Sequence, residues 1–365
     1  MAPSSSAKNN RPAGTAFKQQ KLTAWQPILT PKWIICVFAI IGTLFMPLGI
    51  VLKLAADNVV EYAVQYDGKG TPPKYQHCMI TSAMQGNTCN ITFTTQEEMR
   101  PPVFVYYELA NFYQNHRRYV KSRSDMQLRA ENVPASSLEG SCDPAASFKN
   151  ATANKIYWPC GLIANSYFND HIVLREPHRM AEDGIAWESD LSMKFKNPQK
   201  EDVFPPSGRE SKYEFIWDIF DAVAPPCNLT RNADKNCTKD NYDPTMKAGV
   251  RDEHLIVWMR TAGLPTFRKL YGRIQPAGGG ALPSFPPNTT FTFQVSANFV
   301  VNSFNGKKFI VISTGSWLGG RNPFLGTAYI AVGALCMCFS FLFFIKHRVS
   351  PRRLGDTRYL VWKNR

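Results

Sequence analysis

The chain has 365 residues, 44% of them hydrophobic and 19% charged, with a net charge of +14. The placement of that charge argues against a nucleic-acid-binding role. Residues 1–32 carry five Lys or Arg and no acid, residues 346–365 carry seven against Asp356 alone, and the long segment between them is nearly balanced.

Residues 1–16 are rich in Ser, Asn, Ala and Pro with scattered Lys, and are expected to be disordered. From Phe17 the text becomes FKQQKLTAWQPILTPKW, in which Trp25 and Trp33 bracket the approach to an apolar run. Indoles favour the membrane interface, so this stretch, with Trp25 and Pro27, is either an interfacial anchor or a partner-binding segment. Residues 33–53 then read as a membrane helix, closed by Lys53. The run is too long for a signal peptide and lacks a small-residue cleavage site. Pro47 cannot donate to the Thr43 carbonyl, so a bend is expected there.

Residues 323–345 form the second predicted span. Phe324 to Ile345 contains no charge, Pro323 stands in the first turn, and Lys346, His347 and Arg348 follow at once. A helix rising ~1.5 Å per residue needs about twenty such residues to cross the bilayer core. The basic flanks put the tails 1–32 and 346–365 in the cytosol and residues 54–322 on the other side. Gly326 and Gly333, seven apart, lie ~20° from each other around the helix axis. With Ala334 they make a shallow groove for a helix of a partner or for the chain's own first span.

Residues 54–322 hold six of the nine cysteines: Cys78, Cys89, Cys142, Cys160, Cys227 and Cys237. An even count outside the cytosol indicates disulfides. Six cysteines allow fifteen pairings, of which neighbour pairing is the simplest. The N-x-[ST] sequons at Asn90, Asn150, Asn228, Asn236 and Asn288 fall in the same segment, Asn236 being the weakest because Cys237 is its middle residue. Strands are predicted at Val103–Tyr107, His171–Leu174, Leu255–Arg260, Thr290–Val295 and Lys308–Ser313. They are separated by turn clusters such as Pro72-Pro73 and Gly278-Gly279-Gly280. The pattern is that of an antiparallel β-sandwich with helical insertions, in effect a β-rich ectodomain on a two-span anchor. One helix is predicted over 109–120, where Leu109, Phe112, Tyr113, His116 and Val120 make an apolar stripe. Beside it, Arg117 and Arg118 form either a solvated face or a docking surface for an acidic loop.

No catalytic constellation emerges. The six histidines make no HExxH, Ser303, Ser313 and Ser316 lack a G-x-S-x-G elbow, and no Walker loop is present. Cys336 and Cys338 read as span residues rather than metal ligands. Neither span holds an ionisable residue between its ends, which disfavours the main alternative, a two-span homo-oligomeric channel.

Several long stretches carry a family resemblance: Asn111–Val120 (NFYQNHRRYV), Pro159–Asp170 (PCGLIANSYFND), Gly184–Asp190 (GIAWESD), Ile256–Tyr271 (IVWMRTAGLPTFRKLY) and Ser313–Ile330 (STGSWLGGRNPFLGTAYI). From about Phe17 to Trp362 the chain resembles the cell-division-cycle-protein-fifty family, the beta subunits of type IV P-type ATPases that flip phospholipids. It is most similar to the plant ALA-interacting-subunit type. The resemblance implies two spans, cytosolic termini, a glycosylated β-sandwich ectodomain, and bridges Cys78–Cys89 and Cys142–Cys160. It implies a non-catalytic subunit without cofactor, in the endoplasmic reticulum, Golgi and plasma membrane. Its partners would be the catalytic alpha subunit and membrane lipids, with no nucleic acid. Residues around 218–245 depart from the family pattern, so a Cys227–Cys237 bridge rests on proximity alone.

Overall fold

The structure, a computed structural model, describes residues 12–23, 30–82, 86–149, 154–206, 210–227, 237–275, 284–316 and 319–351. It divides into two units, Met1–Leu54 with Asn322–Arg365, and Ala55–Arg321. The first unit is built on two helices, Pro31–Asp57 and Phe324–Val349, both long and apolar enough to cross a membrane. Each runs past the apolar stretch that predicts it. Lys346, His347 and Arg348 lie inside the second helix, in its last turn, where cations complement the free carbonyls. Pro47 lies within the first helix without ending it.

In the second unit the strands are β1 (Glu61–Gly68), β2 (Asn87–Thr94), β3 (Val103–Ala110), β4 (Ser147–Lys149), β5 (Asn154–Trp158), β6 (His171–Leu174), β7 (Arg179–Ala181), β8 (Tyr213–Phe215), β9 (Phe267–Gln275), β10 (Thr290–Ala297) and β11 (Lys307–Thr314). Among the described residues they form an antiparallel five-stranded sheet in the order β1-β11-β3-β9-β7 and an antiparallel three-stranded sheet β2-β10-β6. A small sheet, β4-β5-β8, sits in the insertion and pairs β5 with β8 in parallel.

The two larger sheets share one core. Val103, Val105, Tyr107 and Leu109 of β3, Ile91 and Phe93 of β2, and Phe291, Phe293 and Val295 of β10 are all buried in it. These residues alternate along each strand, the period-two signature of a sheet with one face inside. Each such side chain contributes about 1.5–3 kcal/mol by leaving water.

Two predicted elements are corrected. The helix over 109–120 does not form. Leu109 continues β3, opposite Lys308 of β11 and Phe267 of β9. Asn111 then turns the chain with a φ of 65°, and only Arg117–Lys121 is helical. The apolar stripe came from a strand end joined to an aromatic cluster, in which the Phe112 ring meets Tyr119, Trp258 and Phe304 at 5.9, 5.7 and 5.4 Å. The strand at Leu255–Arg260 is instead part of the helix Glu253–Met259. Asp252 caps it, its carboxylate accepting from the His254 amide at 2.8 Å and the Leu255 amide at 3.3 Å. A helix buried on nearly all sides has no polar face, so its short apolar run resembles a strand.

Three disulfides are present. Cys78–Cys89 ties the 3-10 turn Pro73–Cys78 to β2, Cys142–Cys160 spans 18 residues, and Cys227–Cys237 spans 10. The second has its own small core of Val133, Leu138 and Ala146. With so little apolar mass around it, this lobe depends on its covalent closure. Cys142→Ser or Cys160→Ser should cost about 3 kcal/mol and lower the melting temperature of the purified chain. Free thiols at both positions in non-reducing peptide maps of the mature protein would falsify this.

Candidate functional site

The helix Glu253–Met259 is where four of the five long sequence motifs meet. Trp258 donates its indole N–H to the Ile163 carbonyl at 2.7 Å, reaching the PCGLIANSYFND stretch. Just beyond the helix, the Ala262 amide donates to Gln114 Oε1 at 2.9 Å, in NFYQNHRRYV. Glu253 accepts from the amides of Ile185 and Ala186 at 2.8 and 3.0 Å, in GIAWESD. Burial opposes the charge on Glu253, but these amides and Lys247 hold its carboxyl below the usual range. Lys269 of β9 turns inward and donates to the helix-end carbonyls of Val257, at 2.9 Å, and Arg260. Burial, with the Arg260 charge nearby, brings its ammonium down to about 7.

Where this helix ends, a cleft of about 310 Å³ opens, lined by Arg123, Asp125, Arg129, Asp190, Lys194 and Arg260 with the apolar Leu128, Phe195 and Met259; Arg123 pairs with Asp125 at 3.0 Å and Arg129 with Glu131 at 2.7 Å. Asp190 organises it. Its carboxylate, almost fully buried, takes Arg260 Nε at 2.6 Å and Lys194 Nζ at 2.8 Å. Desolvation pushes Asp190 up, but the hydrogen bonds from Arg260 and Lys194 win and keep it below the usual carboxylate range. The predicted basic pair is elsewhere. Arg117 is exposed, and Arg118 lies 3.4 Å from Asp143 with both side chains largely in solvent, an arrangement of little energetic weight. The basic groups that converge come from three separate segments, so no local spacing marks them.

A second buried cluster sits between the two larger sheets. Lys308, fully buried, lies 3.0 Å from Asp67 and 2.7 Å from Asp170, and donates to the Phe299 carbonyl at 2.7 Å. Asp170 also accepts from the Tyr66 hydroxyl at 2.7 Å and from the amides of Asn298 and Phe299 at 2.5 Å each. Burial raises the Asp67 carboxyl, against the pull of Lys308. This cluster fixes β1 and β11 to the loops after the Leu162–Asn165 helix and β10.

In the helical unit, Gly326 and Gly333 face the chain's own first helix. A Cβ built on Gly326 would stand 2.6 Å from the Lys53 amide nitrogen and 2.9 Å from the Gly49 carbonyl oxygen. On Gly333 it would stand 3.0 Å from the Met46 amide nitrogen. Gly42 and Gly49 answer from the opposite side, with built Cβ atoms 3.0 Å from the Gly333 oxygen and 2.9 Å from the Gly326 oxygen. The repeated seven-residue spacing, Gly42–Gly49 against Gly326–Gly333, is a signal that reading each span alone misses. Phe45 against Tyr329, ring centroids 5.0 Å apart, adds aromatic contact along the seam.

Trp25, Pro27, Asn150, Asn228 and Asn236 lie outside the described residues. Asn90 is exposed on β2 opposite Gln294, and Asn288 is exposed in the turn before β10. Among the described residues, His77, Cys78 and Cys89 bring metal-ligating atoms within 4.8 Å. The two sulfurs are joined to each other, which leaves His77 alone.

The sequence matches the model of the family described as LEM3 (ligand-effect modulator 3) family / CDC50 family over residues 52–353. It is 40% identical to "ALA-interacting subunit 3" of Arabidopsis thaliana, covering 98% of this chain and 93% of that protein. It is 38% identical to "Cell cycle control protein 50A" of Bos taurus, covering 91% and 88%. It is 31% identical to "Phospholipid-transporting ATPase accessory subunit CDC50" of Chaetomium thermophilum, covering 98% and 92%.

Proposed function

Because the chain belongs to the LEM3/CDC50 family, we propose that it is the non-catalytic beta subunit of a phospholipid-flipping type IV P-type ATPase. One observation carries the reading: the relatives match nearly the whole chain, including an accessory subunit named for a phospholipid-transporting ATPase. Its two helices cross the membrane, the tails 1–32 and 346–365 face the cytosol, and the sandwich faces the lumen or cell exterior of the endomembrane system. The subunit holds the pump's folded form by mass action, as any ligand selective for the native state does. Its influence on transport comes from unequal affinity for the states of the pump's cycle.

The surfaces assigned to the partner are the exposed pair Arg117 and Arg118, the membrane approach with Trp25 and Pro27, and the outer faces of the helix pair. Gly326 and Gly333 act on the last of these by setting how closely the two helices pack.

Co-expression with a tagged type IV P-type ATPase tests the assignment. A stable one-to-one complex with raised ATP hydrolysis is expected, whereas a homo-oligomer of this chain alone would favour a channel. Glycosidase treatment of native membranes should lower the mass of the chain. Asn90→Gln and Asn288→Gln should each remove one step of that shift, and an unshifted band in untreated mutants would place both asparagines outside the glycosylating compartment or show them unused.

A further inference from the structure

A cleft opens between the two apolar helices at the end that carries their basic flanks. Pro31 and Ile34 form one wall, and Phe343, Lys346, His347 and Ser350 the other, around a cavity of about 230 Å³. Its inner end is closed. Ser340 Oγ donates to the Ile35 carbonyl at 3.1 Å, and the rings of Phe38 and Phe343 meet at 6.0 Å. The lining is therefore apolar at Pro31, Ile34 and Phe343, and Lys346, His347 and Ser350, toward the helix end, add an ammonium, an imidazole and a hydroxyl.

Among the described residues of the helical unit, 12–23, 30–54 and 322–351, there is no Asp or Glu to pair with these cations. Lys32, next to Pro31, adds to the positive field. Between an apolar wall and a basic rim, the fitting occupant is apolar at one end and anionic at the other.

We propose that this cleft binds an anionic phospholipid, with the phosphate at Lys346, His347 and Ser350 and the first acyl methylenes along Ile34 and Phe343. The inference rests on reading both helices as membrane spans, because only at a bilayer surface do an acyl region and a headgroup region meet at one point. Basic residues at such a surface attract anionic headgroups, each worth about a fivefold gain in binding. The apolar wall adds what a surface-bound phosphate cannot gain.

The test uses the full-length chain reconstituted with its catalytic subunit in phosphatidylcholine vesicles. A trace of phosphatidic acid carrying a diazirine near its glycerol is added, with the matching phosphatidylcholine probe as control. Peptides containing Ile34 and Phe343 should be labelled several-fold more by the phosphatidic acid probe. Lys346→Gln with His347→Gln should bring that labelling down to the phosphatidylcholine level. Ile34→Trp, which fills the cleft without touching its charge, should do the same.

Equal labelling by the two probes, or labelling indifferent to both variants, would overturn the site. So would a cross-link from this cleft to the catalytic subunit in place of lipid. Because both leaflets carry the probe, the result does not depend on orientation. Protease access to a C-terminal tag in sealed microsomes separately reports whether this end faces the cytosol.

Discussion

Gly326→Leu combined with Gly49→Leu should reduce recovery of the catalytic subunit by about tenfold or more. The side chains would be built into a seam where even a Cβ on Gly326 lies 2.6 Å from backbone nitrogen and one on Gly49 lies 2.7 Å from the Ile330 nitrogen. Backbone cannot rotate aside as a flexible side chain can, so the helices must separate. In lipid there is little hydrophobic drive to bring them together again, since the tails are as apolar as leucine. The outer surface presented to a partner would change shape with them. Leu342, more than half exposed on the second helix, supplies the contrast: Leu342→Ala leaves the seam intact and should retain the ATPase. The measurement is co-purification together with ATP hydrolysis. Wild-type values in the double glycine variant would mean that the seam has no bearing on the complex.

Lys308→Met should be the most damaging single change in the sandwich, at about 3–5 kcal/mol. The ammonium is fully buried between Asp67 and Asp170, and its removal leaves two buried carboxylates without their counter-charge. Asp170 keeps the Tyr66 hydroxyl and two backbone amides. Asp67 keeps the Gly68 amide, at 2.7 Å. Asp67→Asn added to Lys308→Met should therefore recover part of the loss, because the remaining amide is neutral. Against a total stability of about 5–15 kcal/mol, the single variant should largely fail to leave the endoplasmic reticulum. Thermal unfolding of the full-length chain in detergent measures the order expected: wild type, then the double variant, then Lys308→Met. A single variant as stable as wild type would show that the cluster carries no net stabilisation.

The amino-acid sequence determined the two apolar helices, the cysteine-rich segment between them, and the strands β3, β6, β10 and β11. Each of these is a local signal: an uncharged run long enough for a bilayer, or alternation with a period of two. β9 escaped because Lys269 takes an inward position, where a cation breaks the alternation although its ammonium is satisfied by the end of the buried helix. That helix, Glu253–Met259, was hidden for the opposite reason, since burial on all sides removes the polar face that reveals a helical period.

The sites were decided by tertiary structure. Arg123, Arg129, Lys194 and Arg260 share a cleft only because the fold brings three segments together, with Asp190 joining Lys194 to Arg260. Lys308 finds Asp67 and Asp170 through strand pairing and loop packing across more than a hundred residues. The glycine seam was half legible. Gly326 and Gly333 marked one face of a helix, but that Gly42 and Gly49 meet it follows from two antiparallel helices in register, a relation between segments nearly three hundred residues apart.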